Sequence, residues 1–121
     1  MPLLRVIGGP DTGKSVEVRD VPVTIGRSPE CGLNVSDECV SLIHALVEPF
    51  EQTWRVRDLE SSTGTVVNGE RTFERQLLFG DVITVGETVI LFGSGSERVK
   101  TETVGRAESP LAGNAGNVGN A

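Results

Sequence analysis

The first run of residues in this sequence with an obvious chemical use is Gly8-Gly9-Pro10-Asp11-Thr12-Gly13-Lys14-Ser15. It satisfies the phosphate-loop pattern G-x-x-x-x-G-K-S letter for letter. That chemistry is nucleotide binding, and it requires a helix beginning at the Lys-Ser end, so that free N–H groups face the phosphates. Here the chain continues Val16-Glu17-Val18-Arg19-Asp20-Val21-Pro22, alternating apolar and polar before it meets a proline. A strand therefore follows, and the glycine-rich run is expected to be a turn between the first two strands. Three further clusters carry polar groups that strands alone do not require. Gly26-Arg27 closes one apolar segment, Ser41-Leu42-Ile43-His44 precedes another, and the run from Asp58 through Ser61-Ser62-Thr63-Gly64 to Asn68-Gly69 joins two more. Taken singly, each is an ordinary surface arginine, a histidine at a strand start or a polar loop. No nucleophile elbow surrounds Ser41 or Ser62 to complete a relay with the single histidine, so no catalytic residue is assigned.

The elements that must position these clusters show period two almost throughout. Val16-Glu17-Val18-Arg19, Val21-Pro22-Val23-Thr24-Ile25 and Trp54-Arg55-Val56-Arg57 each bury one face. Further strands are expected at Leu3–Ile7, Leu33–Val35, Ala45–Glu48, Thr65–Val67, Val82–Val85 and Thr88–Phe92. Asn68-Gly69 fits a tight hairpin needing positive φ, and Gly86-Glu87 joins the last two strands. No window shows helical spacing, and many short strands at close intervals predict an all-β sandwich.

Composition bounds the rest. The 121 residues suit one compact domain, expected over 1–96, with 97–121 as a low-complexity tail or linker opened by Gly93-Ser94-Gly95-Ser96 and ending in Gly- and Asn-rich sequence. The net charge of −6 lies wholly in the front segment and argues against nucleic acid, whose affinity comes from clustered Lys and Arg. Hydrophobic residues are spread in short groups, and the start lacks the features of a secretory signal, which predicts a cytoplasmic protein without a membrane span. Cys31 and Cys39 fall short of the four ligands of a structural zinc and are expected to be half-buried free thiols; no metal or cofactor is expected.

Together the three clusters resemble the forkhead-associated (FHA) family, whose signature is G-R, then S-x-x-H, then D-x-x-S-x-N-G-T-x-x-N-G, in this order and at about these separations. The resemblance covers roughly residues 3 to 93. It implies a β-sandwich of about eleven strands in two mostly antiparallel sheets, whose loops at one end grip a phosphothreonine peptide. Carried over, it implies that Arg27, Ser41 and Ser62 bind the phosphate, that residues 42 and 63 contact the peptide, and that Gly26, His44, Gly64, Asn68 and Gly69 shape the loops. The chemistry agrees, because a guanidinium fork and hydroxyl donors suit a phosphate of about −1.5 to −2 charge.

Two positions depart from the pattern. Leu42 stands where the family commonly carries Arg or Asn, and Thr63 replaces the Asn before Gly-Thr. Both leave the phosphate contacts in place and weaken the hold on the peptide. The expected function is a phosphothreonine-dependent interaction module in signalling; the alternative is a phosphorylation-independent structural or oligomerisation module on the same sandwich. Thr101 and Thr103 in the tail, if phosphorylated, would offer the pocket an intramolecular ligand.

Overall fold

A computed structural model describes residues 2–94, which form eleven β-strands in two sheets with no helix among them. In chain order these are β1 (Leu3–Gly8), β2 (Ser15–Glu17), β3 (Val23–Gly26), β4 (Leu33–Asn34), β5 (Ala45–Phe50), β6 (Thr53–Asp58), β7 (Thr65–Val67), β8 (Glu70–Thr72), β9 (Glu74–Leu77), β10 (Val82–Val85) and β11 (Thr88–Gly93). One sheet runs β2-β1-β11-β10-β7-β8 and the other β4-β3-β5-β6-β9. All strand pairs are antiparallel except β3 with β4. The expected all-β sandwich is thus the fold observed.

Alternation sets the core. Leu4 and Val6 of β1, Ile25 of β3, Val47 of β5, Ile83 and Val85 of β10 and Ile90 and Phe92 of β11 point inward and are buried. The strand after Lys14 is present, so the phosphate-loop pattern is a turn here: Gly9 and Gly13 take positive φ, and Gly13 N–H bonds back to the Val6 carbonyl at 2.9 Å. Lys14 is spent locally, its ammonium on the Asn34 carbonyl and 3.8 Å from Asp11.

Three differences from the expected strands have physical causes. The segment 70–77 forms β8 and β9, which the sequence pattern did not mark, because Glu70, Arg71, Glu74 and Gln76 leave Leu77 as the only fully buried residue there. β3 begins at Val23, after Pro22, and β5 runs on through Pro49. Proline is tolerated at 49 because the pairing of β5 with β3 reaches no further than Val47, so no N–H is needed on that side. Of the cysteines, Cys31 is buried and Cys39 exposed, both free, which corrects the expectation of two half-buried thiols. The tail 97–121, with Thr101 and Thr103, lies outside the described residues.

Candidate functional site

Three loops meet at one end of the sandwich: 27–32 after β3, 35–44 before β5, and 59–64 between β6 and β7. The first two touch backbone to backbone. Arg27 N–H donates to the Ser41 carbonyl and Ser28 N–H to the Leu42 carbonyl, both at 3.1 Å. Gly26 permits this approach, since a Cβ there would sit 2.1 Å from the Leu42 carbonyl oxygen. Asn34 braces the first loop by donating its amide to the carbonyls of Arg27 (2.9 Å) and Ser28 (3.1 Å).

His44 locks the second loop to the third. The fully buried ring accepts Ser41 N–H at Nδ1 (3.0 Å), which leaves Nε2–H to donate to the Gly64 carbonyl (2.8 Å). Above it, Ser41 Oγ accepts Ser62 N–H at 3.0 Å and lies 3.2 Å from Ser62 Oγ. Ser41 and Ser62, 21 residues apart in sequence, therefore present adjacent hydroxyls. Arg27 is tied to the same loop by its backbone bond to Ser41. Its Nε donates to the Val40 carbonyl at 2.5 Å, and its terminal amino groups have no hydrogen-bond partner among the described residues.

Asp58 shapes the third loop. Its carboxylate accepts Ser61 Oγ (2.5 Å), Thr65 Oγ1 (2.7 Å) and Ser61 N–H (3.2 Å), while Ser61 Oγ accepts Gly64 N–H at 2.9 Å. Ser61 is thus consumed in the turn and Ser62 is left outward. Glu60 (φ 58°) and Gly64 (φ 88°) supply the left-handed steps. Burial alone would raise the Asp58 pKa, but the hydrogen bonds from Ser61 and Thr65 outweigh it and hold the carboxyl below its ordinary 3.8. Asp37 plays the same part in the second loop. It is buried, accepts Cys39 N–H (2.9 Å), Glu87 N–H (2.7 Å) and Thr88 Oγ1 (2.9 Å), and ties the loop to the β10–β11 turn. Burial again acts upward and the hydrogen bonds prevail, so its pKa too is lowered.

The remaining expected residues fall as follows. Leu42 is exposed at 58%, with Ile43 beside it at 44%. Thr63 turns its hydroxyl to the Cys39 carbonyl at 3.0 Å. Asn68 and Gly69 lie at the other end of β7 from Gly64, where positive φ at both closes the β7–β8 hairpin, and Asn68 exchanges hydrogen bonds with Val82 and Asp81. Asn34, Asp37 and Asp58 received no role from the sequence reading. Only Asp58 had a signal there, its place at the head of the Ser-Ser-Thr-Gly run. Among the described residues no three His, Cys, Asp or Glu side chains are grouped to hold a metal, and no helix is long and apolar enough to cross a membrane.

Comparison with known proteins yields a consistent set. Residues 5–95 match the family described as "Inner membrane component of T3SS, cytoplasmic domain". The chain is 34% identical over 93 residues to an oxoglutarate dehydrogenase inhibitor of Corynebacterium efficiens, covering 77% of this chain and 66% of that protein. It is 32% identical over 88 residues to the FHA domain-containing protein FhaB of Mycolicibacterium smegmatis, covering 72% and 57%. The chain therefore spans somewhat less than two thirds of the length of these relatives. Among solved structures, one described as a structural and functional analysis of phosphothreonine-dependent FHA domain interactions superposes with a TM-score of 0.70 at 29% identity, covering 77% of this chain and 95% of the other.

Proposed function

We propose that this chain, which belongs to the forkhead-associated family, is an intracellular phosphothreonine-peptide-binding module that holds the phosphate with Arg27, Ser41 and Ser62. The observation that carries this reading is the hydroxyl pair of Ser41 and Ser62, 3.2 Å apart across two loops, with the Arg27 guanidinium held on the carbonyl of Val40, the residue before Ser41, and its terminal amino groups unclaimed among the described residues. A phosphothreonine brings three acceptor oxygens and about −1.5 to −2 charge, and each hydrogen bond to such a group contributes about 1.5–3 kcal/mol. Three donors of this kind, with peptide contacts, reach micromolar affinity, about −8 kcal/mol. Unphosphorylated threonine would leave the same donors to water, which is the basis of discrimination. The module binds and does not catalyse, and a phosphothreonine-containing protein or peptide is its partner.

Titration with matched phosphorylated and unphosphorylated threonine peptides, repeated on Arg27→Ala, tests this. Strong binding of the phosphopeptide only, lost in the variant, is expected. Equal binding of both peptides would instead favour a phosphorylation-independent interaction module. The exposed Leu42 and the engaged Thr63 hydroxyl point to weaker or less selective peptide contacts than the family pattern provides. Thr101 and Thr103 extend the proposal to the chain's own tail. From Ser94 the chain to Thr101 can reach at most about 25 Å, while β11, rising about 3.4 Å per residue, is roughly 20 Å long. Phosphorylation of Thr101 should therefore lower the affinity for an added phosphopeptide, and unchanged affinity would exclude self-binding.

A further inference from the structure

Beside the loop that carries Ser62 lies a hollow of about 260 Å³ walled by Asp58, Gly64, Arg71, Thr72 and Phe73. Gly64 is two residues from Ser62, so their Cα atoms are at most about 7 Å apart, and one loop carries both a wall of the hollow and one hydroxyl of the pair. Its cation is Arg71. The pairing of β7 with β8 sets Arg71 opposite Val66 and Thr72 opposite Thr65, which lays the guanidinium against the bare face of Gly64. A Cβ on Gly64 would meet Arg71 Nε at 2.6 Å and Cζ at 2.8 Å. The glycine required by the turn thus also clears a seat for the arginine.

Arg71 is chemically unspent. Arg19, Arg55, Arg57 and Arg75 all stand within ion-pair distance of glutamates, whereas the side chain of Arg71, like that of Arg5 on β1, has neither ion pair nor hydrogen bond among the described residues. The carboxylate in the same hollow, Asp58, is already engaged by Ser61 and Thr65. Phe73, 81% exposed, supplies an apolar wall. An open cation with an apolar neighbour suits an aspartate or glutamate side chain, whose methylenes pack on the ring while its two oxygens meet the guanidinium fork. On a chain of net charge −6 an acidic ligand is otherwise repelled, so this cation should decide where a carboxylate is accepted.

We infer that Arg71, with Phe73 and the bare face of Gly64, forms a second subsite that selects an acidic residue flanking the phosphothreonine of the ligand. The inference rests on the function proposed above and adds to it a specificity that Arg27, Ser41 and Ser62 do not supply.

Fluorescence anisotropy on the full chain tests it, using phosphothreonine peptides with alanine flanks in which one glutamate is walked through each flanking position. Glutamate at one or two positions should tighten binding about fivefold to tenfold, the range between an exposed ion pair and a bidentate one. Arg71→Ala should remove that gain, so that glutamate-bearing and alanine-flanked phosphopeptides bind alike. Arg71→Lys should keep part of it, and Arg71→Glu should transfer the preference to lysine at the same position. A flat glutamate scan, or a gain that survives Arg71→Ala, overturns the subsite even where Arg27→Ala abolishes binding and so upholds the phosphate reading. If no phosphopeptide is preferred over its unphosphorylated match, the phosphate reading fails and this one with it.

Discussion

Replacing His44 by leucine probes how the site is held together. The ring is fully buried and makes two hydrogen bonds, accepting from Ser41 N–H at 3.0 Å and donating to the Gly64 carbonyl at 2.8 Å. Leucine has similar bulk and makes neither. Each orphaned backbone group costs about 1–3 kcal/mol, or about 4 for the two at the middle of that range. Burying more apolar surface returns up to about 2 kcal/mol, so a net loss of about 2–4 is expected. A domain of typical stability, about 5–15 kcal/mol, remains folded after that loss. Urea unfolding should show the midpoint fall by about 1–2 M with the slope unchanged, given a slope of about 2 kcal/mol per molar. Phosphopeptide affinity should fall as well, although His44 does not face the ligand, because the loops of Ser41 and Ser62 lose their common anchor. Arg27→Ala should differ in kind, losing binding with little change in midpoint. A His44→Leu protein with less than about 1 kcal/mol of lost stability, and unaltered binding, would refute the role given to the ring.

Other outcomes can be checked directly. Gly26→Ala must push the Leu42 carbonyl back from 2.1 Å to about 3.0 Å, disturbing both backbone bonds between the first two loops; overpacking of this kind costs about 1–3 kcal/mol, read as a lowered melting temperature together with weaker phosphopeptide binding. Thr63→Asn restores the family's amide and should tighten phosphopeptide binding about threefold to tenfold, while loss of the bond to Cys39 costs no more than about 1 kcal/mol in thermal unfolding. The pH responses of binding and folding should separate. Affinity should decline below about pH 6, as the ligand phosphate takes its second proton. Folding stability should persist to lower pH: Asp37 and Asp58 have native pKa values below the ordinary 3.8, so their contribution is complete above that value and is lost as pH falls through it toward the native pKa. Acid unfolding followed by tryptophan fluorescence should shift to higher pH in Asp58→Asn.

Much of this protein was legible in order and period alone. Two-residue alternation in segments such as Trp54–Arg57 can bury only one face, so the strands and the sandwich followed from pattern. Val16-Glu17-Val18 before Pro22 excluded the helix a phosphate loop needs, and β2 stands there. Arg27, Ser41, Ser62 and His44 could be named because the three clusters together resemble the FHA signature, while singly none of them marks a site. β8 and β9 escaped because mostly polar strands, each at the edge of its sheet, carry no apolar repeat, and β9 pairs across some twenty residues with β6.

Only the tertiary structure decided which polar groups remain available for a ligand. A hydroxyl's use depends on what folds against it: Ser61 is consumed by Asp58 while Ser62 stays outward, and Thr63 turns to Cys39. Asp37 and Arg71 look like any charged residues in the chain. One acquires its meaning from Glu87 and Thr88, 50 and 51 residues away, and the other from lying over Gly64 with no ion pair among the described residues. Sequence spacing determines what each segment can become, because alternation and turn chemistry are local. Which donors are satisfied and which are left free depends on long-range proximity, and only the folded chain creates it.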